Sequence, residues 1–457
     1  MACPLVDLLP ELKLAIVELL EADSREDLLD FSATCKSFRS FTEPKVFQCL
    51  TLKNTEESGS YATQLANSDR GLYVRKINYR ATTLLPKEIV DIEDSDQDEP
   101  LEGSYTEQGE DKNKERSKFN LEEILPESVH QVLSNLRQFS SLITLTVKFT
   151  VYQETLKYSE DFLYRDMDDY YRAQGLEQME GWRALMSHSY NAIASGSTPG
   201  PNFKNLVLLD VRPVLISSFK SSDFSNLLAH IEHFELQLHD LENGGDILTY
   251  NSYLHFCSEL DQYFLDYLRS ATSLRLQAAY GGPFGGLWTG IHGLPLSQSM
   301  TPQLRFLHIK NIFVDSALLD CIICHKGTLE TVLLEEAHAR HLIMTWERLF
   351  RSIADSDPQK LRGFEIKYAS KIEYGNSNPY LAPKFEDQLT KVETLLQNDP
   401  SRRLFSYAQV DERYGDTSEL EVENALRFIA GHDQMAWDRL MEIIQRNVSR
   451  NTSRVTT

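Results

Sequence analysis

TPQLRFLHIKNIFVDSALLDCIICHKGTLETVLLEE, residues 301–336, contains two compact apolar runs, LRFLHI (304–309) and LETVLL (329–334). Each has the length and aliphatic density of a strand that buries at least one face. Between them Val314, Leu318, Cys321 and Ile322 recur at three- and four-residue spacing, which predicts a helix over 315–326. His325 and Lys326 suit the negative end of that helix, and Gly327 supplies its stop. The unit is therefore strand, polar turn, amphipathic helix, glycine stop and strand again.

Similar runs occur at LITLTV (142–147), LVLLDV (206–211), FELQL (234–238), SLRLQ (273–277) and LRGFEI (361–366). VFQCLTL (46–52) and LYVRKINY (72–79) have the β-branched and aromatic content of two further short strands. Strand starts at 304 and 329 give an interval inside the ~20–29 residues of leucine-rich repeats. The other intervals are longer and irregular, so the array resembles a degenerate leucine-rich solenoid. In such a solenoid strands line a concave face and helices the convex side. The alternative is an irregular α/β domain whose strands do not share one arc.

The N-terminal stretch LPELKLAIVELL (9–20) places Leu12, Ile16, Leu19 and Leu20 at helical spacing, with Pro10 suited to the first turn. A second helix is expected to carry Leu28 and Leu29. A third, broken near Pro44, is expected to carry Phe38, Phe41 and Phe47. Three short helices make too small a core to stand alone. The order LP…EL…I…LL…DLL…CKSFR…VF resembles an F-box, the module that docks substrate receptors onto the adaptor of SCF-type ubiquitin ligases. Phe47 stands where many members have tryptophan. The resemblance implies adaptor contacts by Leu9, Pro10, Leu12, Ile16, Leu19, Leu28, Leu29, Cys35, Phe38 and Phe47. An amphipathic helix laid in an apolar groove is a recurrent docking mode. The whole chain resembles the F-box proteins that filamentous fungi carry in large numbers.

The expected organisation is an F-box at 1–50 and the start of the solenoid at 51–87. An acidic disordered insertion follows at 88–119, where charge dominates and few apolar residues occur. The leucine-rich-repeat-like solenoid occupies 120–384, with a helical insertion at 151–200 between widely spaced strands. A helical C-terminal cap covers 385–447, and a disordered tail 448–457. The fold class is α/β throughout.

A formal net charge of −22 argues against general electrostatic binding of nucleic acid, and no dense Lys/Arg run offsets it. No apolar run reaches the ~18–20 residues that span a bilayer. Pro10, Glu11, Lys13 and Glu18 interrupt what would have to be the apolar region of an export signal. Six scattered cysteines read as reduced thiols. The expected location is therefore intracellular, in cytoplasm or nucleus.

CIICH (321–325) matches the c-type haem attachment pattern, so Cys321, Cys324 and His325 define a redox or metal reading. The competing reading makes Cys321 a small core residue, and it is the stronger because no second ligand pair stands at zinc spacing. His230, His233 and His239 are grouped, but no partner carboxylate stands out. The glycine-rich stretch 281–293 lacks the Gly-Lys-Ser/Thr of a phosphate loop; its Phe284 and Trp288 either meet a ligand or fill the core. Tyr164, Asp168 and Tyr170, in a Tyr- and Asp-rich segment, form a further candidate contact surface. No nucleophile with a partner base is visible.

These readings converge on a non-catalytic substrate receptor without a cofactor. Its expected partners are the ligase adaptor, and through it a cullin–RING ligase, together with a protein substrate, and neither nucleic acid nor membrane. A protein-interaction scaffold outside ubiquitination is the alternative.

Overall fold

A computed structural model describes residues 8–23, 25–34, 36–83, 124–151, 172–196, 200–239, 251–279, 282–285, 294–296, 301–368, 382–410 and 417–455. The fold is α/β. Among the described residues nine strands form a parallel sheet in chain order: β1 (Cys49–Lys53), β2 (Lys76–Thr83), β3 (Thr144–Val151), β4 (Asn205–Val211), β5 (His233–Leu238), β6 (Ser273–Gln277), β7 (Phe306–Phe313), β8 (Thr331–His338) and β9 (Gly363–Lys367). Each overlaps a run read as a strand from sequence. Several begin late, because Leu142, Leu304, Leu329 and Leu361 are buried in the turn that enters the strand and precede its hydrogen-bonded ladder. Leucine spacing reports burial; the ladder starts where backbone groups pair.

The chain forms two compact units. The first begins with three helices, α1 (Pro10–Asp23), α2 (Arg25–Thr34) and α3 (Lys36–Val46), and continues through β1, β2 and β3. α3 does not break at Pro44 as expected but runs through it. The one ladder bond that proline removes would have gone to the carbonyl of Ser40, an exposed residue where water can replace it. In β1–β3 the rows Leu50–Ile77–Leu145 and Leu52–Tyr79–Val147 are buried, which is the alternation of a sheet covered on one face.

The segment expected as a helical insertion at 151–200 is helical over Ala173–Met179 and Gly181–Ser195. It is not an appendage, because the second helix is buried along most of its length. Tyr190 packs on Phe149 at 5.5 Å and on Phe219 at 5.1 Å between ring centroids. The Tyr79 hydroxyl and Ser189 Oγ lie 2.9 Å apart, satisfying two polar groups in that core. The expected insertion at 88–119 lies outside the described residues.

In the second unit β5–β9 keep one register: Leu236 aligns with Leu276, Ile309, Leu334 and Ile366, and this row is buried. The C-terminal region is helical over Ala382–Asn398, Glu421–Ala430 and His432–Val455. It also holds an antiparallel pair, β10 (Ala408–Val410) and β11 (Thr417–Glu419), which sequence reading missed because three-residue strands carry almost no periodic signal. The tail expected to be disordered from 448 continues that last helix to Val455. Asn447 anchors it just before that point, its amide donating to the carbonyls of Pro358 (2.7 Å) and Leu361 (2.9 Å).

One buried histidine in this unit sets an acid limit. Burial pushes the His338 imidazole down to about 4, and its Nδ1 lies 2.8 Å from Ser406 Oγ. Its folded value lies below the ordinary 6.5, so the unfolded chain takes up the proton first. Stability is therefore full above pH ~6.5, falls as pH drops, and levels off near 4, for a loss on the order of 3 kcal/mol. His338→Gln is expected to flatten that part of a urea-midpoint-versus-pH curve. An unchanged slope would show that other groups set the limit.

Candidate functional site

The N-terminal helices close on a small core of their own. Val17, Leu28 and Phe38 are buried, and Phe31 meets Phe38 at 4.4 Å between ring centroids. Lys13, one of the charged residues that interrupt the apolar pattern of α1, is buried as well. Its stem runs beside the Phe38 ring, its ammonium sits 5.7 Å from the ring centroid, and Nζ donates to Ser37 Oγ at 2.9 Å. Thr42 is buried with its hydroxyl donating to the carbonyls of Phe38 and Arg39, each at 3.2 Å. At the end of α3, Glu43 accepts from Arg70 Nε at 2.6 Å, and the Arg70 guanidinium lies 5.0 Å over the Phe47 ring. That clasp joins α3 to the short helix Asp69–Tyr73 ahead of β2.

Among the positions this core leaves outside is an apolar set. Leu9 is 65% exposed, Leu12 51% and Leu19 68%, and Ile16 is half-buried. With 3.6 residues per turn these four positions span an arc of about 80° along α1, flanking the buried Lys13–Val17 side. Pro10 opens the helix and is exposed, and Leu29 of α2 is 45% exposed. These leucines form an apolar stripe on consecutive turns that the described residues leave uncovered.

The structure thus divides the residues named from sequence. Leu9, Pro10, Leu12, Ile16, Leu19 and Leu29 are surface positions. Leu28 and Phe38 hold the module together and present nothing to a partner; helical spacing alone cannot separate an inward from an outward apolar residue when the helix has both. Phe47 sits half-buried under Arg70. Cys35, Tyr164, Asp168, Tyr170 and Trp288 lie outside the described residues. Phe284 is buried, bridged through its backbone to Ile312, so it fills the core.

The CIICH string is also structural. Asp315 caps its helix by accepting from Leu318 N at 2.9 Å. Cys321 is buried, and burial pushes its thiol up to about 12, away from a reactive thiolate. Cys324 is exposed, while His325 is buried with Nδ1 2.8 Å from the Cys321 carbonyl and Nε2 3.0 Å from that of Thr301. Cys321 Sγ and His325 Nδ1 lie 3.7 Å apart, but Cys324 faces solvent and does not complete a set of three. Among the described residues no group of three His, Cys, Asp or Glu is placed to hold a metal, and no helix is long and apolar enough to cross a membrane. His239 does have a carboxylate partner that sequence did not reveal: Asp210, twenty-nine positions earlier, reaches its Nδ1 at 2.5 Å.

The open face of β5–β9 is the second surface with binding chemistry. Glu235, Arg275, His308 and Glu365 share register positions, as do Lys310, Glu335 and Lys367. These charges are paired: Arg275 with Glu235 at 3.3 Å, Lys310 and His308 with Glu335 at 2.8 and 3.2 Å, and Lys367 with Glu365 at 3.5 Å. Partial burial works against the Glu335 charge, but Lys310 and His308 outweigh it and hold its carboxyl below the usual range. Burial, aided by Arg275, pushes the His308 imidazole down.

No protein-family model matches this chain, and no curated protein matches it either.

Proposed function

We propose that the chain is the substrate-recognition subunit of an SCF-type cullin–RING ubiquitin ligase. The observation that carries this reading is the stripe of exposed Leu9, Leu12 and Leu19 with half-buried Ile16 between them, outside a helical module whose own core holds Val17, Leu28 and Phe38. A stripe of that kind needs a partner, and the F-box likeness of the same residues names the ligase adaptor. The parallel strands in chain order support the second half of the reading, a degenerate leucine-rich-repeat-like solenoid that holds a protein substrate, with the helices after 382 as its cap. The chain does no chemistry of its own in this reading. It holds a target beside a charged conjugating enzyme, and effective concentration supplies the rate. Such a receptor works in cytoplasm or nucleus.

The test is co-purification from cells of the full chain with the adaptor, the cullin and the RING subunit. Recovery of all three at comparable amounts is expected. Recovery of the adaptor alone would favour the scaffold reading, in which the same contact serves assembly, and recovery of none would overturn both.

A further inference from the structure

The open face of β5–β9 is polar except at one spot. Its positions on β5 and β6 are His233, Glu235, Gln237, Ser273, Arg275 and Gln277. On β7, β8 and β9 the same face carries Phe306 and Leu333, both half-buried, and begins β9 with Gly363. Register pairs Phe306 with Thr331 and Thr331 with Gly363, and Leu333 stands two residues beyond Thr331. With strands about 4.8 Å apart and a rise of about 3.3 Å per residue, the three positions lie within about 10 Å of one another. The Phe306 ring meets the buried His308 imidazole edge-on at 6.5 Å between centroids.

Gly363 is bare without a backbone reason. It keeps the ladder register and does not adopt the left-handed φ that favours glycine. A Cβ there would meet nothing closer than the Thr331 methyl at 3.4 Å, an ordinary contact. The equivalent positions of β5–β8 carry His233, Ser273, Phe306 and Thr331. Glycine weakens a strand, and in a sheet it often marks a place where another group approaches closely. Around this spot the charges are paired. Glu330 takes Arg305 at 2.7 Å and Arg362 at 3.5 Å ahead of the strands, while Glu335 and Glu365 hold Lys310 and Lys367 beyond them. An apolar centre inside a polar rim is the anatomy of a protein–protein contact, and the centre is where binding energy concentrates. A rim with both signs already balanced suits a segment whose own charges are mixed, and it gives a polyanion little to hold.

We propose that Phe306, Leu333 and the notch at Gly363 anchor one large apolar side chain of the substrate protein, of leucine or phenylalanine size, on an extended segment that carries charges of both signs. This inference rests on the receptor reading above and names the substrate feature which that reading leaves open. An extended chain places alternate side chains on one face about 7 Å apart. The residues two positions to either side of the anchor therefore reach the charge pairs of the rim.

The test is fluorescence anisotropy of the purified full chain with short labelled peptides that alternate glutamate and lysine around one central residue. That residue is leucine in one probe, phenylalanine in a second and alanine in a third, and an all-glutamate peptide serves as a fourth. The leucine and phenylalanine probes are expected to bind. The alanine probe is expected to bind at least about tenfold more weakly, the loss that follows when a buried leucine side chain is truncated. Gly363→Val fills the notch with a β-branched residue that suits a strand, so the urea midpoint is expected to hold while the leucine probe weakens by about tenfold or more. Leu333→Ser is expected to act in the same direction. His233→Val, at the equivalent position four strands away, is expected to leave the leucine probe unchanged. Absence of binding by both apolar probes at millimolar concentration would overturn the proposal. So would equal binding of the leucine and alanine probes, indifference of the leucine probe to both Gly363→Val and Leu333→Ser, or tighter binding of the all-glutamate peptide. Adaptor capture by Gly363→Val is read in parallel and is expected to match the parent. Leucine-probe binding without adaptor capture in the unsubstituted chain would strike the receptor reading, whereas adaptor capture without leucine-probe binding would strike the anchor site alone.

Discussion

Ile16→Asp is expected to abolish capture of the ligase adaptor while the circular-dichroism spectrum stays that of the parent and the urea midpoint falls only modestly. Ile16 is half-buried between exposed leucines of α1, so in the free protein an aspartate there still reaches water and costs about 1 kcal/mol. In a covered interface the same carboxylate is desolvated without a partner, which costs several kcal/mol. A hot-spot loss of 2 kcal/mol already weakens binding by about thirtyfold, so pull-down at micromolar concentration should fail. Leu9→Ala with Pro10→Ala removes apolar area at the head of the stripe and should weaken capture in the same direction.

Leu14→Asp is the decisive control. Leu14 is 43% exposed, yet at 100° per residue it points about 180° from the centre of the stripe. It makes the same chemical change on the same helix and should leave capture intact. If Leu14→Asp and Ile16→Asp act alike, the effect is on the helix and not on a docking face. Phe38→Asp would also abolish capture, but by unfolding the module, and the spectrum would report it.

That control depends on knowing which apolar positions face inward, and here sequence and structure part company. The 3.6 period located α1 correctly, but it could not tell Val17 from Ile16, because both belong to a broad apolar sector that is half core and half surface. Lys13 stands in the sequence only as a charge between apolar positions. Its long apolar stem and one hydroxyl partner on α3 let it enter the core, a contact between residues twenty-four apart that no local pattern carries. The strands were far more legible. Apolar residues on alternate positions, as in Leu274 and Leu276 or Phe364 and Ile366, mark a sheet with one buried face whatever the connections do. The charged row on β7–β9 is invisible for the opposite reason. Lys310, Glu335 and Lys367 become neighbours only through register, so no local pattern in the sequence shows them. Asp210 and His239 pair across strands in the same way.

Trp346→Ala is expected to be the most destabilising single change in the second unit. Trp346 opens the helix Trp346–Asp355, whose first turn is capped by Thr345 accepting from Arg348 N at 3.1 Å. Its indole is fully buried, stacked on Phe350 at 5.4 Å and against Phe405 at 5.9 Å. Phe350 in turn meets Trp437 at 5.2 Å, and Trp437 meets Phe364 of β9 at 6.0 Å. One aromatic cluster thus ties the sheet to the C-terminal helix, and its loss is felt on both. Truncating a buried tryptophan costs about 3–5 kcal/mol through lost contacts and the cavity left behind. Here the indole Nε1 also donates to the Ser406 carbonyl at 2.8 Å, which the alanine would orphan. Against a total of ~5–15 kcal/mol this is a large fraction, and the far-UV urea midpoint should fall accordingly. Trp346→Phe divides the effect: it keeps most of the stacking on Phe350 and removes only the donor and part of the ring, for about 1–3 kcal/mol. If the phenylalanine variant lost as much as the alanine one, the hydrogen bond to Ser406, and not the aromatic packing, would be what fastens the C-terminal helices to the strands.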